Sequence, residues 1–500
     1  MKKNILTEVQ AGILEPYFRK NVKFYFVKFE GDRELINKWL KQLKITSASK
    51  QREYKADYKT KKDSKNYIDN RVITNLYISI NGLLKLHEDN IDKRNTLRGL
   101  LKGSGSYFFQ GMKEEGVIFR HNDPPIDKWK PFFYQEDIDA LLVLAGSEID
   151  SINNTLKDIG FKKEGYEEII TIDMEGLKGG RVGQIIGKET GHRMTTTENG
   201  ETYPIEPFGY RDGITKVKFF NDRGNPEKNQ TDIVLDKHNG SYLVFRKLKQ
   251  NVKEFNKRVD ELVGKYNKVT NTRNSGNVSK NPKKFIEGQI MGRFKDGVPI
   301  ALWNGEGTVC PVPQSDIDKF NDFHIDANLA MKGTTYSSLD DIGQKCPIHA
   351  HIRKANPRDD NRKGANPGLF LPSSGNPIPP AIIARRGIPY KYTQDDQGLL
   401  FMCFQRDIFL QFSRIQYRWF NDNPYGKIDT GLDGVTGNYE KERRSTKQRW
   451  NKEWGKKDDF YFSFKDFVTL QGGEFFYAPP LSFFGQPDIS TLISDELKRP

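Results

Sequence analysis

The feature that most restricts the fold is a unit that occurs four times: a short β-rich run followed by a run with helical spacing. Runs of aromatic and branched apolar residues predict strands at 24–29, 140–144, 241–245 and 399–404. After each strand, apolar residues recur three or four positions apart, as on one face of an amphipathic helix. These units predict an α+β fold of two related halves, each an antiparallel sheet with peripheral helices, rather than a doubly wound parallel sheet.

The length of 500 residues suits two large domains or about three of ordinary size. We place the boundary in the polar stretch 195–203, which gives an N-terminal half, 1–200, and a C-terminal half, 201–500. The Lys-rich segment 50–65 and the Asn-rich segment 267–284 have little apolar content, so we expect both to be exposed loops.

Charge and cysteine content narrow the functional classes. Lys and Arg number 80 against 66 Asp and Glu, a net charge of +14 that would suit an anionic partner. The chain lacks the Arg-and-aromatic modules of specific nucleic-acid binding, so we expect no nucleic-acid partner. Three cysteines, Cys310, Cys346 and Cys403, cannot form a disulfide framework, and their spacing fits no zinc site.

The expected location is cytoplasmic. No stretch reaches the ~20 apolar residues that span a bilayer, so we expect no membrane partner. No apolar segment follows the two lysines near the N-terminus, so no secretory signal is visible. The sequence leaves an oligomeric assembly open.

A first candidate motif is the segment 206–213, in which Gly209 and Gly213 bracket Asp212. Asp before Gly is common in turns, and that is the simplest interpretation. Alternatively, the glycines allow the backbone to approach a flat ligand, with Asp212 beside it.

A second motif, 346–358, contains His349 and His351 two positions apart. On a strand both rings would lie on one side, but a two-histidine metal site without a nearby carboxylate is weakly supported. A structural histidine is one alternative. Another is a single axial ligand to haem iron, with downstream arginines that bind the haem propionates.

A third motif is the basic pair Arg385 and Arg386, which follows a short apolar run. The pair could be the solvated end of a strand. Alternatively, one arginine lies in a site where it stabilises developing negative charge.

Together these segments resemble the dye-decolourising (DyP-type) haem peroxidases. The segments 209–213, 350–358 and 385–390 resemble the family's GxxDG motif, proximal-histidine segment and distal-arginine segment. Three further segments are similar to other parts of the family. Segment 9–14 is similar to its opening strand, 292–297 to a Gly-Arg-aromatic element and 470–480 to its terminal motif. The resemblance runs in order from about residue 7 to about residue 485. It implies two ferredoxin-like halves, with haem in the C-terminal half.

The resemblance also implies an activity. The family reduces hydrogen peroxide through a ferryl intermediate and oxidises a broad range of organic reductants, such as dyes and phenolics. By position, His351 would be the proximal ligand to the iron of one haem b per chain, Asp212 the acid–base group and Arg385 the group that stabilises charge on the peroxide. The alternative is a haem-binding or haem-handling protein with incidental peroxidase activity.

Four further residues have implied roles. Leu399 and Phe401 would form the distal wall and exclude bulky molecules from the iron. Arg358 would bind a haem propionate. Asp407 would be the carboxylate on the other ring nitrogen of His351, although an N-cap of the following helix explains it equally well.

Two further features lead to expectations about single residues. His349 stands where the family usually has a small residue. We expect it to form hydrogen bonds at the surface rather than to crowd the proximal side. Tyr417 and Trp419 could relay electrons from bulky reductants, although core packing explains most aromatic residues.

Overall fold

The chain is described here by a computed structural model. It describes residues 5–61, 68–103, 106–164, 169–173, 181–198, 201–213, 233–234, 239–271, 279–303, 305, 340, 343–355, 381–421, 431–438 and 447–487. The strands are β1 (Asn21–Phe29), β2 (Ile73–Ile78), β3 (Ala140–Gly146), β4 (Phe161–Glu164), β5 (Ile169–Asp173), β6 (Arg181–His192), β7 (Thr195–Glu198), β8 (Glu201–Pro204), β9 (Ser241–Gln250), β10 (Ala384–Arg385), β11 (Ile388–Lys391), β12 (Gln397–Gln405), β13 (Gln448–Asn451), β14 (Asp459–Phe462) and β15 (Val468–Ala478).

Helices of four or more residues lie between these strands. They are α1 (Ile5–Glu8), α2 (Arg33–Gln42), α3 (Ala48–Lys61), α4 (Ile80–His87), α5 (Ile91–Gly103), α6 (Tyr107–Gln110), α7 (Glu115–His121), α8 (Pro131–Tyr134), α9 (Ile149–Asp158), α10 (Val252–Thr270), α11 (Pro282–Met291), α12 (His351–Ala355) and α13 (Leu481–Gly485). A 3₁₀ turn covers Ile126–Lys128, and two π-helical segments cover Phe409–Ser413 and Ile415–Phe420. Among the described helices, none is long and apolar enough to cross a membrane.

Each half contains an antiparallel sheet with the strand order of a ferredoxin-like fold; in the second half β10 and β11 together take the place of one strand. In the first half β2, β3, β1 and β6 lie side by side, with α2 after β1 and α9 after β3. In the second half β10 and β11 pair with β12, followed by β9 and β15, with α10 after β9 and the π-helical segments after β12. The predicted α+β fold is confirmed, because both halves follow the same strand–helix–strand–strand–helix–strand order.

The two sheets are continuous and share a core. β15 pairs with β2 at Tyr477 and Ile78, so that one sheet of 11 strands runs through both halves. Phe245 of β9 packs against Phe24 and Phe26 of β1, with ring centroids 5.5 and 5.2 Å apart. Aromatic residues from both halves therefore fill the space between them.

Three local expectations are wrong. The Lys-rich segment is mostly helical: α3 is rich in Lys, Gln, Arg, Glu and Ala, which favour helices, and Ser47 Oγ accepts the Lys50 N–H at its start. The Asn-rich segment includes the end of α10 and the start of α11, where Asn281 is the N-cap. The segment 9–14 forms no strand, but a turn next to an isolated bridge between Gln10 and Ser47.

Candidate active site

The centre of the site is His351, the first residue of α12. Its Nδ1 lies 3.0 Å from Oδ2 of Asp433, whose side chain is fully buried. Burial alone would raise the pKa of Asp433. The neighbouring His351, the Thr436 N–H and the Lys354 ammonium outweigh that effect and hold the pKa below its usual value. Asp433 is therefore ionised and accepts the Nδ1 hydrogen of His351, and in a neutral imidazole with this tautomer the lone pair lies on Nε2.

The other oxygen of Asp433 organises its own loop. Oδ1 accepts the backbone N–H groups of Val435 and Thr436, at 2.9 and 2.6 Å, and the Thr436 hydroxyl at 3.1 Å. Asp followed by Gly favours such a turn, in which the side chain bonds to the backbone two residues on. The carboxylate that faces His351 is thus held from both sides.

The helix that carries His351 is anchored by Arg353 and packed against Gly292. The buried Arg353 guanidinium donates to Oδ2 of Asp340 at 3.0 Å and to the Cys346 carbonyl at 2.5 Å. Gly292 has a φ of +84°, and a Cβ there would lie 2.6 Å from Cγ1 of Ile352. A glycine is required at this position, because both the backbone conformation and the close approach exclude a side chain.

The segment that follows Gly292 also contacts the loop of Asp212. The Arg211 N–H donates to the Lys295 carbonyl at 2.9 Å, and the Asp212 N–H donates to the Pro204 carbonyl at 2.9 Å. Asp212 is half-buried, and its Oδ1 accepts the Gly213 N–H at 2.7 Å. The same segment therefore joins the Asp212 loop to the helix of His351.

Glu206 holds the tight turn before Asp212. Its carboxylate accepts the N–H groups of Phe208 and Tyr210, at 2.9 and 3.0 Å, and the side-chain amide of Gln250 at 3.0 Å. Burial raises its pKa, against the effect of these hydrogen bonds, and the charge of Asp212 raises it further.

Arg385 lies on the same face of the sheet as Leu399 and Phe401. It pairs directly with Cys403 of β12, and residues opposite each other on antiparallel strands point to one face, as do alternate residues of one strand. Arg385 is exposed, whereas Leu399 and Phe401 are half-buried. The structure thus places the predicted distal arginine beside the two predicted wall residues.

The segment 409–420 connects this face to His351. The Phe412 and Phe401 ring centroids are 6.0 Å apart, and Phe420 stacks on the His351 ring at 5.1 Å. No direct contact joins His351 to Asp212, Arg385, Leu399 or Phe401 in the part of the chain that the structure describes.

Arg386 faces away from Arg385 and has a different environment. Its Nε and Nη2 donate to the carbonyls of Gly12 and Ile13, at 2.5 and 2.7 Å. Burial lowers its pKa to about 10, so it stays protonated at neutral pH. It anchors the strand of Arg385 to the N-terminal segment.

Two predictions about individual residues are wrong. Asp407 is not the carboxylate beside His351. Its Oδ1 accepts the Leu410 N–H at 2.8 Å, so it caps the following helical segment, as the alternative interpretation proposed. His349 is not at the surface: it is buried against the Trp450 ring, with centroids 4.4 Å apart, and burial lowers its pKa to about 3.

The other expectations have mixed outcomes. Arg358 lies outside the described residues. Tyr417 is exposed and Trp419 is buried in a small apolar cluster, so only Tyr417 is open to solvent. The prediction missed Asp433 itself, although its Asp-Gly dipeptide repeats the pattern that marked Asp212 and Gly213.

Sequence reasoning also missed a buried ion pair beside the distal face. Arg246 lies opposite Phe401 on β9, is stacked over Phe412, and forms a bidentate pair with Asp123 of the other half, with one contact of 2.9 Å. Arginine is usually exposed, so the sequence of β9 does not indicate that Arg246 is buried.

The donor chemistry of His351 suits haem iron. A neutral imidazole whose other nitrogen donates to a carboxylate is a more basic metal ligand with a fixed ring orientation. Among the described residues, no group of three or more His, Cys, Asp or Glu is placed to hold a metal ion. One histidine is sufficient for haem, since the macrocycle itself supplies the other nitrogen ligands of the iron.

Comparisons with known proteins agree with this chemistry. The multifunctional dye peroxidase DyP2 of Amycolatopsis sp. is 28% identical over 402 residues, which cover 72% of this chain and 73% of that protein. The dye-decolorizing peroxidase of Mycena epipterygia is 26% identical over 71% of this chain and 67% of that protein. The crystal structure of a DyP-type peroxidase from Anabaena sp. superposes with a TM-score of 0.70 and 26% identity, and covers 97% of this chain and 95% of that one. In sequence and in fold, the chain is similar to the dye-decolorizing peroxidases.

DyP-type peroxidases are haem-dependent, so this chain is a haem peroxidase and the predicted enzyme class is confirmed. No protein-family model matches the chain. Hydrogen peroxide and a reductant are its substrates.

Proposed function

We propose that the chain binds one haem b through His351 and uses hydrogen peroxide to oxidise a broad range of organic reductants, such as dyes and phenolics. The supporting observation is the 3.0 Å contact between His351 Nδ1 and the buried Asp433, in a chain similar to the dye-decolorizing peroxidases. Bound haem supplies the iron that exchanges electrons with peroxide and with the reductant.

Asp212 is proposed to move the proton. As a carboxylate it accepts a proton from one oxygen of hydrogen peroxide and returns it to the other, which leaves as water. Oδ1 already accepts the Gly213 N–H, so Oδ2 is the oxygen assigned to this transfer. The hydrogen bonds of the Asp212 and Arg211 backbone hold the carboxylate in place while it changes protonation state.

Arg385 is proposed to stabilise the negative charge that grows on peroxide as its O–O bond stretches. Its exposed guanidinium has the freedom to point into the space above Leu399 and Phe401. These two side chains are proposed to form a wall that admits peroxide but not a large organic molecule. Bulky reductants would then react at the haem edge, and Arg358 is proposed to bind a propionate.

The first experiment tests the proposed ligand. The purified protein, reconstituted with haem, should show a Soret absorption band, and His351→Ala should lose it. Asp127→Asn serves as the control, because this carboxylate is two-thirds exposed and lies outside the site. A Soret band that is unchanged in His351→Ala would contradict the assignment of the iron ligand.

The second experiment tests the two distal residues. In stopped-flow mixing with hydrogen peroxide, Asp212→Asn should slow the spectral change by about 10²- to 10⁴-fold and Arg385→Leu by about 10²- to 10³-fold. Asp127→Asn should react as the wild type does. A wild-type protein that binds haem but reacts with peroxide no faster than free haem would be a haem-handling protein instead.

A further inference from the structure

A second ionisable residue of α12 lies beside the pair of His351 and Asp433. Lys354 is fully buried, and its Nζ donates to the Gly431 carbonyl at 2.7 Å. A buried ammonium is costly unless its surroundings compensate it, and this one lies three residues after the proposed iron ligand.

The acceptor of Lys354 lies two residues before Asp433 in the chain. Gly431 has a φ of +87°, and a Cβ there would lie 2.7 Å from Cα of Gln448, so its position allows little movement. Helix α12 and this loop are thus joined twice, by His351 with Asp433 and by Lys354 with Gly431.

The charge of Lys354 acts on the same carboxylate. Its ammonium is held at the carbonyl of Gly431, two residues before Asp433 in the chain. A carboxylate that accepts the Nδ1 hydrogen increases the electron density of the imidazole, whereas a cation near that carboxylate reduces the effect. In a buried site of low dielectric such an effect is little screened.

We propose that Lys354 is a positioning residue whose buried ammonium limits the negative charge that Asp433 passes to His351, and thereby sets the Fe(III)/Fe(II) midpoint potential of bound haem. The inference rests on the proposed function, in which His351 binds the iron. Negative charge on the ligand stabilises Fe(III) relative to Fe(II) and lowers the midpoint potential. Because Lys354 limits that charge, the potential is higher than it would be with Asp433 but without Lys354.

The test is a spectroelectrochemical titration of the haem-loaded protein, with dithionite as the source of the single electron. Lys354→Gln keeps an N–H donor for the Gly431 carbonyl but removes the charge, and should shift the midpoint to a more negative value. Asp433→Asn should shift it to a more positive value. Lys354→Met serves as a second uncharged variant if Lys354→Gln does not fold.

The double variant tests the route of the effect. If the charge of Lys354 acts through Asp433, Lys354→Gln should shift the potential less in the Asp433→Asn background than in the wild type. The iron–histidine stretching frequency of the ferrous protein should rise in Lys354→Gln and fall in Asp433→Asn. A positive or absent shift in Lys354→Gln, or an equal shift in both backgrounds, would overturn the inference.

Failure of the inference is distinguishable from failure of the proposed function. If His351→Ala loses the Soret band while Lys354→Gln leaves the potential unchanged, only the role of Lys354 is wrong. If His351→Ala retains the band, the ligand assignment itself is wrong.

Discussion

Replacement of the adjacent arginines Arg385 and Arg386 by leucine should affect different properties: stability for Arg386 and reactivity with peroxide for Arg385. Arg385 is exposed, whereas Arg386 binds the carbonyls of Gly12 and Ile13. We expect Arg386→Leu to destabilise the fold. We expect Arg385→Leu to leave stability within about 0.5 kcal/mol, as is usual at exposed positions.

The magnitude follows from the two hydrogen bonds to the N-terminal segment. Hydrogen bonds that involve a charged group contribute about 1.5–3 kcal/mol each. Arg386 is half-buried as a whole residue, so the lower value is appropriate, and Arg386→Leu should lower the free energy of unfolding by about 3 kcal/mol. A third hydrogen bond, from Nη1 to the Arg385 carbonyl at 2.6 Å, is local and adds little.

The assay is urea unfolding of both variants and the wild type, followed by tryptophan fluorescence, together with the stopped-flow reaction with peroxide. The expected result is a loss of stability in Arg386→Leu and a much larger loss of peroxide reactivity in Arg385→Leu. Equal destabilisation by both substitutions, or unfolding of Arg386→Leu within 1 kcal/mol of the wild type, would refute the anchoring role of Arg386.

Three further predictions concern other parts of the chain. Gly292→Ala should cost about 1–3 kcal/mol through backbone strain and should speed haem loss to apomyoglobin, because the new Cβ meets Ile352 next to His351. Asp407→Ala should lower stability by about 1 kcal/mol without changing the Soret band, whereas Asp433→Ala should change that band, and a spectral effect of Asp407→Ala would contradict the cap assignment. Burial holds the pKa of His121 well below its usual value, so only the unfolded chain takes up its proton below about pH 6.5. The contribution of His121 to stability is therefore complete above about pH 6.5 and decreases as the pH falls below that value, and urea unfolding at pH 7 and pH 5 should show a larger loss of stability in the wild type than in His121→Gln.

The fold could be predicted because its strands have strong local signals. The runs at 24–29 and 241–245 lie within β1 and β9, since aromatic and branched residues favour strands and both strands are buried on two faces. Composition alone misled at α3, where a Lys-rich segment looked like a loop although its residues favour a helix.

The site could be predicted only where a motif is local. His351, Asp212 and Arg385 lie in short segments that resemble those of the family, and their roles stay predictions. Asp433 is 82 positions from His351, so no spacing rule connects the two residues. Asp407 follows a predicted strand, which does not distinguish a carboxylate beside His351 from a helix cap, and its contact with the Leu410 N–H is that of a cap.

We expect the N-terminal half to be needed for the geometry of the site, although it contributes none of the predicted haem contacts. Neighbouring residues of β9 point to opposite faces, and each forms a buried ion pair with that half: Arg246 with Asp123, and Lys247 with Glu189 at 2.6 Å. β9 pairs with β12, which carries Leu399 and Phe401. The two ion pairs therefore hold β9 in place next to the distal wall. Removal of one partner of a buried pair costs about 3–5 kcal/mol, which is enough to shift this strand or unfold it locally. We therefore expect the two halves to unfold together and the C-terminal half alone to lack an ordered site.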